Sequence, residues 1–361
     1  MRYNSKLDIN GHGISINSPS FFIADIASNH NGDLEMAKEL IWQAKSAGAD
    51  AVKFQHFLAD KIVSDYGFRH LDKQVGGHQA TWEKGVYEVY SECECNRDWN
   101  EELAKTAKEA GVFFMTTPYD FDAVDELDRY IPAYKIGSGD ITWLEFISYV
   151  ARKNKPVFLA TGASSMHDVE MAVESVLLHN QDIVLMQCNT NYTGSLDNFK
   201  YVNLNVLKTF AVRYPNMLFG LSDHTLGHAT VLGAIALGAR VIEKHFTLDN
   251  CLVGPDHAFS MNPVSWKEMI ERARELENAL GTGIKKVEEN EKDTVIIQRR
   301  CIRFKKDVKS GDVIKYEDLE CLRPAPIKAI SPYQIDEVIG KRLLNNKYRG
   351  QELNFSDVED F

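Results

Sequence analysis

The sequence predicts an α/β chain, a TIM (β/α)8 barrel followed by a small β-rich module, on three observations. Short apolar runs alternate with longer segments of helical spacing from Phe21 to Gly281. Eight such runs occur, each followed by a helix-like stretch, and eight is the barrel number. Beyond "GTGIKKVEENEKDT" that pattern stops, and short strand-like pieces separated by turn signals replace it. A doubly wound open sheet would accept the same alternation, but it more often has fewer strands and a Gly-rich phosphate fingerprint, which this sequence lacks.

In chain order, residues 1–18 read as a hairpin preceding the barrel. "FFIADI" is followed by the helical "LEMAKELIWQAKSAG", and "AVKFQ" by an irregular segment before the helix "WNEELAKTAKEAG". That segment, Leu58 to Arg97, is longer than connecting loops usually are and carries Tyr66, Trp82, Tyr87 and Tyr90, which suits a lid, a substrate loop or a plain inserted subdomain. "VFFMTT", "AYKIGS", "PVFLATG" and "IVLMQC" then alternate with "FDAVDELDRY", "WLEFISYVARKN", "MHDVEMAVESVLLHN" and "NLNVLKTFAVRY". "MLFGLS" leads to "TVLGAIALG", and "RVIEKHF" to "PVSWKEMIERARELENALG"; several helices close on glycine, as a C-cap demands. The expected division is a barrel over 1–282, a linker over 283–295 and a module over 296–361. At about 65 residues the module is near the size where a core alone is marginal, so it is expected to lean on a partner surface.

Composition narrows the function classes. No apolar run approaches the roughly 20 residues of a membrane helix, and "MRYNSKLDINGHGISI" lacks the apolar core of a secretory signal, so a cytoplasmic protein is expected. A formal net charge of -11 argues against nucleic-acid and anionic-membrane partners. It leaves room for a small anionic substrate held by a few placed lysines. Of the six cysteines only Cys93 and Cys95 are close, one residue apart, which suits reduced thiols rather than a disulfide framework or a zinc knuckle.

Catalytic groups of a TIM barrel sit at the carboxyl ends of its strands. Here the runs end on Asp25, on Lys53 and Gln55 in one phase, on Lys135 leading to Ser138 and Asp140, on Thr161 and Gly162, and on "QCNTNYTG" with Tyr192. Ser222 and His224 share one phase of the seventh run, Glu243 and His245 one phase of the eighth, and Asp223 is out of phase as supporting structure. Two imidazoles at matched strand ends outline a divalent-metal site, with satisfied polar residues as the alternative. Lys53 and Lys135, each flanked by apolar residues, require an anion: a phosphate or carboxylate of a substrate, or a buried partner such as Asp25 or Glu243. Cys188 reads as an inert core thiol, and Phe259 and Met261 as packing residues.

"IADIASNHNGDLEMAKELIWQAKSAGADAVKFQ", "YKIGSGD", "GLSDHTLG", "VIEKHFT" and "GPDHAFSMNP" resemble the motifs of the sialic-acid (nonulosonic acid) synthase family, and "VKSGDVIKYEDLECLRPAPIKAISP" resembles its antifreeze-like SAF domain. The resemblance implies condensation of phosphoenolpyruvate with an N-acetylated hexosamine, either N-acetylmannosamine or a diacetamido trideoxyhexose leading to legionaminic or pseudaminic acid. It implies that His224 and His245 bind Mn²⁺ or Mg²⁺, and that Lys53, Lys135, Ser138 and Ser222 hold phosphoenolpyruvate; Thr161, closing the fifth run, is counted among the substrate-binding residues. It implies that Gln55, Asp140, Tyr192 and Asp256 meet the sugar, that Asp25 does acid-base work or orients water, and that Arg323 reaches the N-acyl end from the other subunit of a domain-swapped homodimer. The sequence departs from the family where Asp25 stands for glutamate, Ala160 for serine and Thr190 for asparagine, and where "NYTG" lacks a proline after the tyrosine. Competing readings are another phosphoenolpyruvate-dependent barrel aldolase or synthase, which would not need the SAF module, and a non-catalytic carbohydrate-binding protein, which would predict loss of the histidines or lysines.

Overall fold

The eight apolar runs are the eight strands of one closed parallel barrel in the computed structural model, which describes residues 2–71, 79 and 82–359. A hairpin of β1 (Lys6–Ile9) and β2 (His12–Ser15) precedes the barrel strands β3 (Phe21–Ala27), β4 (Ala51–His56), β5 (Phe113–Pro118) and β6 (Tyr134–Ile136). The ring is completed by β7 (Val157–Ala160), β8 (Ile183–Cys188), β9 (Leu218–Asp223) and β10 (Ala239–His245), with β10 closing against β3. The closed ring excludes the open-sheet alternative. Helix α1 (Leu34–Ser46) follows β3. After β4 come, among the described residues, the short helices α2 (Ala59–Ile62), α3 (Asp65–His70) and α4 (Val86–Glu92), and then α5 (Asn100–Ala110). The remaining crossovers are α6 (Phe121–Leu127), α7 (Leu144–Ala151), α8 (Met166–Leu177), α9 (Val206–Arg213) and α10 (Ala229–Ala236), and α11 (Pro263–Leu280) follows β10.

Parallel strands covered on both faces read as continuous apolar runs, and β3 is buried at all seven of its positions. Alternate residues nonetheless enter two separate cores. Phe22, Ala24, Val52 and Ile242 pack outward against the helices. Phe21, Ile23, Met115, Phe158, Met186 and Val241 fill the barrel interior, where Leu7, Ile9 and Ile14 of the hairpin join them. The hairpin thus plugs the amino-terminal end of the barrel with its buried alternate positions. Gly220 permits close packing inside: a Cβ there would lie 2.7 Å from the Val241 carbonyl and 3.0 Å from Met186. The glycine C-cap expectation holds at α5, which ends on the left-handed Gly111 (φ 74).

The barrel unit spans Met1–Gly281 and the second unit Thr282–Phe361. In the second unit, antiparallel β11 (Cys301–Phe304) and β12 (Leu319–Leu322) form a small sheet, with further pairing as single bridges such as Val308 to Lys347. Its own core gathers Ile302, Phe304, Ile314, Leu319, Val338, Leu343 and Leu353. The stretch expected to be a plain linker contains a 3-10 turn, Glu289–Glu291, and helix α12 (Lys292–Gln298), which runs past the expected start of the module. A charged composition marked the end of the barrel pattern, but it does not forbid a short, mostly exposed helix of about two turns. Among the described residues no helix is long and apolar enough to cross a membrane, and all six cysteines are free thiols.

Candidate active site

Strand phase decides which groups meet. Inside the barrel, above the apolar layers, the next inward positions are Asp25, Lys53, Thr117, Lys135, Ser222 and Glu243, and they line a cavity of about 330 Å³ at the carboxyl ends of the strands. Asp25 and Lys53 are register neighbours on β3 and β4, as are Ser222 and Glu243 on β9 and β10. Lys53 Nζ lies 2.9 Å from Asp25 Oδ2 and donates to Thr117 Oγ1 at 2.9 Å. Gln55 Nε2 also donates to Asp25 Oδ2 (3.0 Å), and the Ala27 amide donates to Oδ1 (3.1 Å). Lys135 Nζ reaches Glu243 Oε1 at 2.9 Å, and the Ser222 hydroxyl donates to the same oxygen at 3.0 Å. Since β6 stands four places from β10 in the ring, this pair spans the barrel interior.

Both lysines therefore have a carboxylate partner in the protein itself, the alternative weighed from sequence. The pairs are not closed, however. Glu243 Oε2 and His245 Nδ1 are buried without a hydrogen-bond partner among the described residues, and so is Asp140 Oδ2. Buried polar atoms are rarely left unsatisfied, and at a cavity such atoms point to a bound molecule.

Electrostatics divide the carboxylates. Burial by itself would raise the pKa of Asp25, but Lys53, His245 and Lys135 outweigh it and hold the carboxyl down at about 2. Burial raises Asp140 to about 6, and burial with repulsion from Asp25 raises Asp256 to about 6. Burial disfavours charge on Lys135, and Glu243 reverses that, so its pKa is raised.

The imidazoles of His224 and His245 converge with ring centroids 5.3 Å apart. His224 Nδ1 lies 2.8 Å from the Asn189 carbonyl, so that nitrogen carries the proton and Nε2 is left with its lone pair. Burial pushes His245 down to about 3, so it is neutral at physiological pH, the form that ligates metal. Burial opposes charge on His224, but Cys188 and the Asn189 carbonyl reverse the direction and raise its pKa. His245 Nε2 is 3.6 Å from Asp25 and its Nδ1 3.8 Å from Asp256. No three His, Cys, Asp or Glu groups form a closed metal cage among the described residues. Two imidazoles beside a carboxylate fit an open divalent site whose other positions belong to water and substrate.

A second cavity, of about 140 Å³, adjoins the first. Gln55, Phe57, Tyr90, Tyr119, Tyr192 and His245 line both, so they form the shared wall. Ser28, Pro255 and Asp256 contribute from the barrel side, and Trp82, Val89 and Cys93 from the segment after β4. Tyr192 packs edge-on against His224, centroids 4.3 Å apart. The 58–97 segment thus walls the site, with Ile62, Val63 and Phe68 on the larger cavity; its central residues 72–78, 80 and 81 lie outside the described residues.

Most residues singled out from sequence meet here. Ser138 and Asp140 form a 3-10 turn after β6 and line the larger cavity, where the Ser138 hydroxyl accepts from the Gly162 amide at 2.9 Å. Thr161 is a correction: its hydroxyl donates to the Met186 carbonyl (2.9 Å), and it lines neither cavity. Cys188 is a second one, for it lines the larger cavity with its sulfur 4.0 Å from His224 Nδ1. Phe259 packs on His245 at 5.0 Å, and Met261 belongs to the outer core. Arg323 lies in the second unit, exposed directly after β12. Sequence reasoning missed Thr117, which shares the inward phase of Met115, and Tyr119 just beyond it.

Comparison with known proteins is unambiguous. Residues 40–285 match the NeuB family and residues 299–359 the SAF domain. An N,N'-diacetyllegionaminic acid synthase of Legionella pneumophila is 36% identical over 346 residues, covering 94% of each chain. A pseudaminic acid synthase of Campylobacter jejuni is 32% identical over 94% of this chain and 96% of its own. The crystal structure of an N-acetylneuraminic acid synthetase of Leptospira borgpetersenii superposes with a TM-score of 0.70 at 25% identity, covering 81% of this chain and 96% of that one.

Proposed function

The chain belongs to the NeuB family and is a nonulosonic acid synthase, and from that premise we propose that it joins phosphoenolpyruvate to an N-acetylated hexosamine where its two cavities meet. The observation that supports this most is the division of the site. One cavity holds two lysines, the other is aromatic with Asp256, and they share the wall of Gln55, Tyr192 and His245.

Phosphoenolpyruvate occupies the lysine cavity. Its carboxylate and phosphate share Lys53 and Lys135 with Asp25 and Glu243, and accept from the Ser138 and Ser222 hydroxyls. Gln55, Asp140, Tyr192 and Asp256 hold the open-chain sugar, and Arg323 reaches its N-acyl end from the partner subunit of a domain-swapped dimer. His224 and His245 would hold Mn²⁺ or Mg²⁺, which when bound would supply Lewis-acid polarisation of the sugar aldehyde. The methylene carbon of phosphoenolpyruvate forms a bond to the aldehyde carbon, whose oxygen takes up a proton. The lysines offset the substrate anion as positive charge develops on the neighbouring carbon. Water adds there, losing a proton with Asp25 as base or orienting group, and the carbon–oxygen bond to phosphate then breaks to leave the keto acid.

Identities of 36% and 32% to synthases of different sugars do not choose the acceptor. The SAF domain and the family match disfavour a simpler barrel aldolase, and retention of both histidines and both lysines disfavours a mere binding protein. Incubation with Mn²⁺, phosphoenolpyruvate and either N-acetylmannosamine or the diacetamido trideoxyhexoses should release phosphate with at least one sugar. Release with none would sink the reading. Activity that survives chelator stripping would remove the metal role, and Arg323→Ala should raise the sugar KM, an unchanged KM removing the cross-subunit contact.

A further inference from the structure

The second unit buries a guanidinium beside the loop that carries Arg323. Arg303 lies on β11 and is only 9% exposed. It stands opposite Glu320 of β12 on one side and is bridged to Glu352 on the other. Its Nη2 donates to the Pro324 carbonyl at 2.6 Å and its Nη1 to the Gly350 carbonyl at 2.6 Å, whereas Glu352 Oε2 is farther from Nη1, at 3.4 Å. The fork therefore ties the residue after Arg323 to the turn at Gly350.

Prolines at 324 and 326 have no amide hydrogen, so Ala325 carries the one amide of that three-residue stretch, and it donates to the Ile296 carbonyl at 2.8 Å. The Pro324 carbonyl, with two lone pairs, takes both Arg303 and the Cys301 thiol, the latter at 3.2 Å. Burying an arginine is costly, and for stability alone an apolar side chain of similar volume is often neutral or better. What an apolar side chain lacks is the fork, a planar set of N–H groups that holds two carbonyls at a fixed separation. That difference matters where the place of the backbone matters.

We propose that Arg303 is a positioning residue for sugar binding: it fixes the backbone at Pro324, and with it the point from which the exposed Arg323, directly after β12, extends. Arg303 touches no substrate and acts through that carbonyl. The assignment rests on the synthase reading, in which Arg323 meets the N-acyl end of the sugar.

The test is steady-state kinetics of the full-length protein with Mn²⁺, phosphoenolpyruvate and whichever of N-acetylmannosamine and the diacetamido trideoxyhexoses it turns over. Arg303→Met, which keeps an apolar stem without the fork, should raise the sugar KM by about 10-fold, with kcat and the KM for phosphoenolpyruvate held within about twofold. Added to Arg323→Ala it should change the sugar KM by less than about twofold, because the loop's place counts only through Arg323. A sugar KM that Arg303→Met leaves unchanged, or an effect equally large with and without Arg323, overturns the positioning role and leaves the synthase reading standing. Arg323→Ala without effect on the sugar KM removes the contact on which the role depends, and phosphate release with none of the sugars removes the reading as well. Should Arg303→Met fail to fold, Arg303→Lys, which keeps the charge but not the fork, decides by the same comparison. It should raise the sugar KM about threefold in the parent and leave it level beside Arg323→Ala; no rise in the parent, or the same rise in both, overturns the role.

Discussion

Strands β9 and β10 carry two buried carboxylate–lysine systems one residue apart, on opposite faces of the same sheet. On the outer face Asp223 pairs with its register neighbour Lys244 at 2.5 Å, and accepts from Thr230 Oγ1 (2.7 Å) and from the Thr225 amide and hydroxyl. Lys244 spends a second proton on the Thr225 carbonyl. On the inner face Glu243 takes Lys135 and Ser222 on one oxygen and leaves the other without a hydrogen-bond partner among the described residues. Burial is the same within a few per cent, 3% for Asp223 and 4% for Glu243, so burial does not separate structure from site. Completeness does. A network whose valences are all met by the chain holds the chain together, and one left open beside a cavity is finished by a substrate.

The largest break in that comparison should come from His224→Ala, expected to lower kcat by about three orders of magnitude with far-UV circular dichroism and thermal midpoint near those of the parent. An unchanged rate would make the imidazole structural. Next is the outer pair: Lys244→Met leaves Asp223 buried without its cation and should cost about 3–5 kcal/mol in urea unfolding. The protein that still folds should keep its kcat/KM within about twofold, and a selective loss of catalysis would mean that the outer network acts on the site.

A pH series sharpens the contrast. Asp25 and Asp223 are both held below the ordinary carboxylate range by their lysines after burial has worked against them, so the stability they add is present above that range and lost as pH falls through their folded values. Asp140 behaves oppositely. Burial raises it to about 6, so between about pH 4 and 6 the folded state holds a proton that the unfolded chain has lost, and stability declines as pH rises across that window. Asp140→Asn should remove that decline, a gain of about 1–2 kcal/mol at pH 7 after discounting for partial exposure, while raising the sugar KM. A denaturation midpoint with the same pH slope in the variant would refute the assignment. The smallest effect is expected from Ala160→Ser, which adds one hydroxyl on the inward phase of β7 and should lower the KM for phosphoenolpyruvate by up to about fivefold; no change would place residue 160 beyond reach of the anion.

Much of this was legible before any coordinates. Period-two phase put Lys53 with Gln55, Ser222 with His224 and Glu243 with His245, and set Asp223 apart, because side-chain direction in a strand follows from local covalent geometry. Strand-end position misled at Thr161, which lies off the inward phase that Phe158 sets on β7, and its hydroxyl turns to the Met186 carbonyl. It also could not weigh the segment after β4, where no strong period runs and short helices depend on packing for their stability.

By itself the sequence determined the barrel, the strand ends and which residues face inward, since each follows from spacing along a few consecutive residues. Only the tertiary structure decided that Lys135 meets Glu243 across the barrel, 108 positions away, that Asp25 is shared by Lys53, Gln55 and the neighbourhood of His245, and that α4 supplies the aromatic wall. Those pairings depend on ring closure, which brings together strands four places apart, and no local period encodes which side chains then face each other.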